Sequence, residues 1–403
     1  NVRYAYNTRP NIAFGVSGRA SYNWTLVSGD GLPATTNTSS ITVTPTTTSV
    51  YRVTNTIVST GCQNSTTVTV TVNTTTTWTG TTSTDWFVPT NWTNCVPSEF
   101  VDAIVPNGVT NMPTINSATA AATKNLSVGT TGTGTAVVLT LNGASTVLNI
   151  KGNLTTTATT SVDAANATTV NFSGSTAQTI GAGKFGILVL SGSGATAKQL
   201  GGAVNVGGSL NLSAGMLNTN GNVLTMLTQN STIVGADANH YVITNGSTGR
   251  LAISAIGAAG RSTAVTFPIG TSTYTPAMLT NAGTNDRFSV TVGDGISLQG
   301  NGTSTTTHVV AKTWDVTEGT AGGSNVTLGL QWNASNEAPG FDRTNATIMH
   351  YENGAWNGQC YTCYSAATGS DPYMLTRSNI TTFSPSAILW PATSASAVAV
   401  RRM

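Results

Sequence analysis

Between residues 125 and 242 the chain repeats short apolar clusters separated by Gly, Asn and Thr: AVVLTL, TVLNI, TVNFSG, GILVLSG, AVNVGG, SLNL, GMLN and NVLTML. None has the i, i+3, i+4, i+7 spacing that would bury one face of a helix. Alternation takes its place. Val204, Val206, Leu210 and Leu212 fall on one side of an extended chain, with Asn205 and Asn211 on the other. Turn residues such as Gly207-Gly208, Gly215 and Asn220-Gly221 punctuate the clusters at about the 8–12-residue rhythm of an all-β chain. The pattern predicts a β-solenoid-like rod of stacked short strands over 125–250. His240 to Gly246, leading into Gly249-Arg250-Leu251, predicts a closing hairpin.

Charge sets the next constraint. Only 7% of the 403 residues are charged, against about 25% in an ordinary globular protein. Thr, Ser, Asn and Gly fill the gap, and β-branched residues suit a half-buried pleated surface. A disordered chain would lack the periodic apolar clusters. The net charge of +2 gives no polybasic field for nucleic acid or an anionic membrane. No run of 18 or so apolar residues predicts a membrane span. So few like charges leave little repulsion between copies of the chain. Asn1 reads as a mature or internal beginning.

The segments around the rod read differently. Residues 1–13, NVRYAYNTRPNIA, form an extended arm in which Val2, Tyr4 and Tyr6 alternate with other residues, and Pro10 opposes a helix. Residues 14–73 hold alternating runs around Trp24, Tyr51, Val53, Val68 and Val70, with Gly29-Asp30-Gly31 and Pro33 as turn chemistry. They predict a small immunoglobulin-like sandwich. Residues 74–124 open on four threonines and carry Trp78, Trp86 and Trp92. These tryptophans predict a cap on the first coil of the rod, or a stacking platform for sugar rings. From 251 to 391 longer strands such as Lys312 to Val316 and Asn325 to Trp332 predict a second β-sandwich. In the tail, 392–403, Val398 and Val400 alternate with alanine, a strand-like pattern suited to pairing with another chain.

Three stretches carry a family resemblance. YNWTLVSGDGL, ITVTPTTTSVYRVT and GCQNSTTVTVTV resemble the immunoglobulin-like or PKD-like modules of secreted adhesins of Bacteroidota. Trp78-Thr79-Gly80, Asp85-Trp86, Asn91-Trp92, Val96-Pro97, Val105-Pro106 and Pro113-Thr114-Ile115 resemble the opening of repetitive surface proteins secreted by the type IX system. FPIG, YTPA, KTWDVTE, LGLQWNAS and ITTFSPSAI resemble the β-sandwich that precedes the sorting domain in that cargo. A sorting domain itself is not visible. The resemblance implies secretion and an extracellular, cell-surface location.

Reactive chemistry is sparse. Cys62, Cys95, Cys360 and Cys363 include one C-x-x-C. Cys62 and Cys95 lie too far apart for a second zinc knuckle, and no βαβ context supports a thioredoxin-like reading. Two disulfides are the expectation. His240, His308 and His350 are far apart in sequence and are expected as strand residues rather than ligands. No G-x-S-x-G elbow occurs. Asp315, beside Trp314, is expected on a solvated strand edge, and Lys124, Lys151, Lys184 and Lys198 are scattered without carboxylate company. No catalytic, metal or cofactor site is expected.

The resulting expectation is an extracellular structural or adhesive protein, not an enzyme. Its partners would be copies of itself, joined by β-strand addition through Val2, Tyr4 and Tyr6 or through Val398 and Val400. A glycan-binding module using Trp78, Trp86 and Trp92 is the second expectation, and a β-helix polysaccharide lyase or hydrolase a remote third.

Overall fold

The computed structural model describes residues 19–192, 197–245, 248–297, 304–352, 355–357 and 364–390. The chain is nearly all-β, with 2% helix and 48% strand, and it contains a β-solenoid of about 8 turns.

The solenoid has three faces. The first is a nine-stranded parallel sheet running from Thr75–Thr77 through Leu126–Val128 and Leu154–Thr156 to Ile269–Gly270. The second stacks Thr114–Ile115, Leu139–Leu141, Val162–Ala164, Val223–Met226 and Arg250–Ile256. The third stacks Ala121–Thr123, Val147–Ile150, Thr169–Phe172 and Thr232–Val234. The strands Gly183–Leu190 and Val204–Asn211 serve both the second and the third face, bending between Phe185 and Ile187, where the register slips. Gly186 sits at that bend, and a Cβ there would meet the Ala165 carbonyl oxygen at 2.0 Å. Only glycine lets the two rungs close at this corner.

Alternation decides what faces inward. Ala103, Leu126, Leu154, Ile180 and Leu200 stack on the first face. Ala121, Leu148, Val170, Leu188, Leu210 and Ile233 stack on the third. The Leu, Ile and Val side chains of these stacks contribute about 1.5–3 kcal/mol each when fully buried. A corner between rungs is held by an amide ladder. Asp102 accepts from Asn125 N–H (3.1 Å) and Nδ2 (2.8 Å), Asn125 Oδ1 accepts from Asn153 N–H (2.8 Å), and Asn153 Oδ1 accepts from Thr179 N–H (2.8 Å). Abundant Asn therefore supplies acceptors for turn amides that no strand partner reaches.

Three expectations change here. The 74–124 stretch is solenoid from its second threonine onward: Thr75–Thr77, Asp102–Val105, Thr114–Ile115 and Ala121–Thr123 are the first rungs. The closing hairpin is absent, because Val242–Ile243 and Arg250–Ile256 belong to different faces. No break separates rod from sandwich at 250. Arg250–Ile256 pairs in parallel with Val223–Met226 on one side and antiparallel with Asp286–Asp294 on the other. The sheet then continues through Val309–Glu318, Pro385–Leu389 and Thr347–Glu352. A five-stranded antiparallel sheet, including Ala277–Asn281, Val326–Trp332 and Tyr373–Ile380, belongs to the same sandwich. Rod and sandwich share one hydrophobic core, from Trp78 to Ile388.

Among its described residues the N-terminal unit is one three-stranded antiparallel sheet rather than two packed sheets: β1 (Ala20–Ser28), β2 (Ser49–Ile57) and β3 (Gln63–Val70). Between β1 and β2 no residue is in a strand. The Gly-Asp-Gly turn and two prolines break the ladder there, and Asp30 takes over, accepting from Thr46 N–H at 2.8 Å and from the Thr46 hydroxyl. The core of this unit is small, with Trp24, Val43, Tyr51 and Val53 buried.

Candidate functional site

The three tryptophans proposed as a sugar platform are inside the protein. Trp78, Trp86 and Trp92 are 1%, 0% and 5% exposed. Trp92 meets Trp78 and Trp86 edge-to-face, with centroids 5.0 and 4.7 Å apart. The Trp92 indole donates to the Trp86 carbonyl and the Trp78 indole to the Asn111 carbonyl, both at 2.8 Å. Asn91, fully buried, ties the surrounding loop by accepting from Thr82 and Ser83 N–H and donating to the Asp85 carbonyl. A pyranose ring needs an open aromatic face, and these rings have none. The cluster packs into the same hydrophobic core as the first rungs.

Cys62 and Cys95, two of the four disulfide candidates, are both free thiols, Cys62 exposed and Cys95 buried. Burial pushes the Cys95 thiol up, away from the reactive thiolate. Cys360, Cys363, Val2, Tyr4, Tyr6, Val398 and Val400 lie outside the described residues. Of the histidines, only His350 is in a strand; His240 turns back on Asp237 at 2.9 Å, and His308 has a left-handed backbone (φ 62).

Stacking gives the scattered charges partners. Lys184 Nζ reaches Asp163 at 2.8 Å, one rung away, and Lys151 reaches Glu99 at 3.6 Å. Asp315 is no solvated edge: it lies in a central strand and binds Arg250, with the two side chains 22% and 18% exposed. Lys198 has no carboxylate and is 5% exposed. Its Nζ donates to Gln178 Oε1 (2.5 Å) and the Gly174 carbonyl (3.1 Å). Gln178 Oε1 also accepts from Gly174 N–H, while its Nε2 donates to the Ile150 and Gly152 carbonyls. Burial drives the Lys198 pKa down. Period-two phase with Leu200 was the signal in the sequence that Lys198 points inward.

His350 is a further buried titratable group, with its side chain 8% exposed. Nδ1 lies 3.0 Å from Glu352, and Nε2 is buried without a hydrogen-bond partner. Burial lowers its pKa most; attraction to Glu352 opposes this, and repulsion from Arg377 adds to it. The folded state therefore holds the neutral ring, while the unfolded chain takes a proton near pH 6.5. Stability is full above that pH and falls as pH drops below about 6.5, levelling off below the folded pKa. Thermal melts from pH 8 to pH 5 should show that loss in the native chain and a flatter profile in His350→Gln. Equal slopes would remove His350 as the cause.

Among the described residues no group of three or more His, Cys, Asp or Glu side chains is placed to hold a metal ion, and no helix is long and apolar enough to cross a membrane.

Among the described residues, the outer edge of β3 is poorly protected. It is eight residues long, pairs with β2 without a bulge, and is exposed along most of its length. It carries no charge and no proline, the devices that usually blunt an edge. β1 is blunted: its register slips between Leu26 and Ser28, and its Trp24 N–H donates to the Thr36 carbonyl at 2.8 Å. Beside the β3 edge lies a groove of about 80 Å³ lined by Val53, Asn55, Asn64, Ser65 and Thr66, and Asn55 Oδ1 is buried without a donor. No family model, curated protein or solved structure matches this chain.

Proposed function

We propose that this is an extracellular structural protein of the cell surface, in which the solenoid is a stiff spacer and the chain joins copies of itself into a fibre or layer. A β-solenoid is compatible with a structural or surface role. The observation that carries the reading is the contrast between closed and open edges. Trp78, Trp86 and Trp92 close one end of the rod, and the sandwich continues its sheet at the other. End-to-end stacking of rods is thereby disfavoured. The unprotected β3 edge remains, and an open edge is a template for another chain. A head-to-tail contact that does not close would give a filament. The low charge and the resemblance to type IX surface cargo support the same reading. The test is light scattering and electron microscopy of the purified chain across a concentration series. Filaments or sheets are expected; a monomer at every concentration would overturn the proposal.

A further inference from the structure

We propose that the β3 edge accepts the Val2-Arg3-Tyr4-Ala5-Tyr6 segment of a second copy as a fourth strand, with a tyrosine of that segment filling the groove beside Asn55. The inference rests on the self-association reading and gives it a site, a partner and a chemistry.

The acceptor follows from backbone geometry. In an antiparallel pair, successive residues turn their N–H and C=O groups alternately toward the partner and away from it. The Ile57 N–H bonds the Cys62 carbonyl at 2.9 Å. Counting along β3 from Cys62 turns the N–H groups of Ser65 and Thr67 to the free side. An added strand satisfies that row without disturbing the β2 pairing.

The groove selects the donor. β2 places Tyr51, Val53 and Asn55 on the inner side of the sheet, and β3 places Asn64, Thr66 and Val68 opposite them. Next to Val53 and Thr66 this inner side is open, and the orphaned Asn55 Oδ1 calls for a hydrogen-bond donor. Val2, Tyr4 and Tyr6 alternate, so all three fall on one side of an extended strand. A tyrosine brings an apolar ring for the groove and an O–H for the amide oxygen. The other alternating segment, around Val398 and Val400, has neither. Within one molecule residues 7–19 would have to carry the segment back across the sheet to the β3 edge; a second copy, which the self-association reading supplies, presents it directly.

The test uses the full chain made donor-dead by Tyr4→Ala and Tyr6→Ala, titrated with a labelled peptide of residues 1–7. Saturable binding is expected, weakened at least tenfold by Thr67→Pro, which removes an outward N–H. A peptide with both tyrosines changed to phenylalanine should bind about 2–12-fold more weakly, the worth of one neutral hydrogen bond. Circular dichroism of Thr67→Pro confirms folding, and Asn55→Ala, which keeps the edge, should erase the preference for tyrosine over phenylalanine. Absent binding, binding indifferent to Thr67→Pro, or equal binding of a peptide of residues 395–402 would each overturn the inference. A native chain that stays monomeric while its donor-dead form binds peptide would place the strand within one molecule and overturn the second-copy assignment. Polymers that form unchanged in the Thr67→Pro chain would leave the structural reading standing and remove this site from it.

Discussion

Trp86→Ala should lower the stability of the solenoid by about 3–5 kcal/mol, the usual cost of truncating a fully buried tryptophan. Trp86 is 0% exposed and packs against Trp92, in the same core as Ala103, Val105 and Ile115 of the first rungs. Its loss opens a cavity and admits water to the end of a stack whose rungs are stabilised by their neighbours. Unfolding should therefore begin at this end, with early hydrogen exchange at Thr75–Thr77 and Asp102–Val105. Trp86→Phe keeps most of the volume and removes the buried indole N–H that has no partner. It should cost much less than alanine. Denaturant titration of both variants decides the matter, and a loss below about 1 kcal/mol for alanine would show that the cap is not what closes the rod.

Gln178→Leu should be almost as damaging, by about 3 kcal/mol or more, although it adds apolar volume to an apolar stack. It strips Lys198 of its short hydrogen bond and leaves the Gly174 N–H and the Ile150 and Gly152 carbonyls without their side-chain partner. An uncompensated buried cation costs far more than the pair contributes. Gln178→Leu combined with Lys198→Met should recover only part of that loss, because the buried cation is gone while the Gly174 N–H and the Gly152 carbonyl stay without their side-chain partner. The coupling is the informative quantity, because additive single effects would mean that the two side chains act independently. The pH dependence gives a second check. Burial lowers the Lys198 pKa, so the unfolded chain binds the extra proton between the folded value and about 10.4. Native stability should rise with pH through that window, and the double variant should lack this rise.

Legibility from sequence followed the range of the interactions. The inward stripes of the solenoid were readable because period-two alternation is a property of one strand: Val204, Val206 and Leu210 are all buried as their spacing demands. That Trp78, Trp86 and Trp92 lie together was suggested by their spacing before the repeat, and their burial in one core came from the structure. Charge partners were not, since Lys184 and Asp163 meet only after a full turn of chain has been coiled. The glycan platform failed for a similar reason, because whether an indole face is open depends on what packs over it. The free state of Cys62 and Cys95 was equally beyond composition, which suggests a compartment but not which thiols meet.

Local alternation and a count of charges are enough to give the all-β class, the stacking of short strands and the low charge of the chain. The remaining features came from how the strands pair. The tertiary structure decided that the rod starts within the threonine run, that rod and sandwich share the Arg250–Ile256 strand, and that β3 is left with an unguarded edge. Each of these depends on which strand lies beside which. Backbone hydrogen bonds in a sheet join residues remote in sequence, and no residue records its neighbour's address.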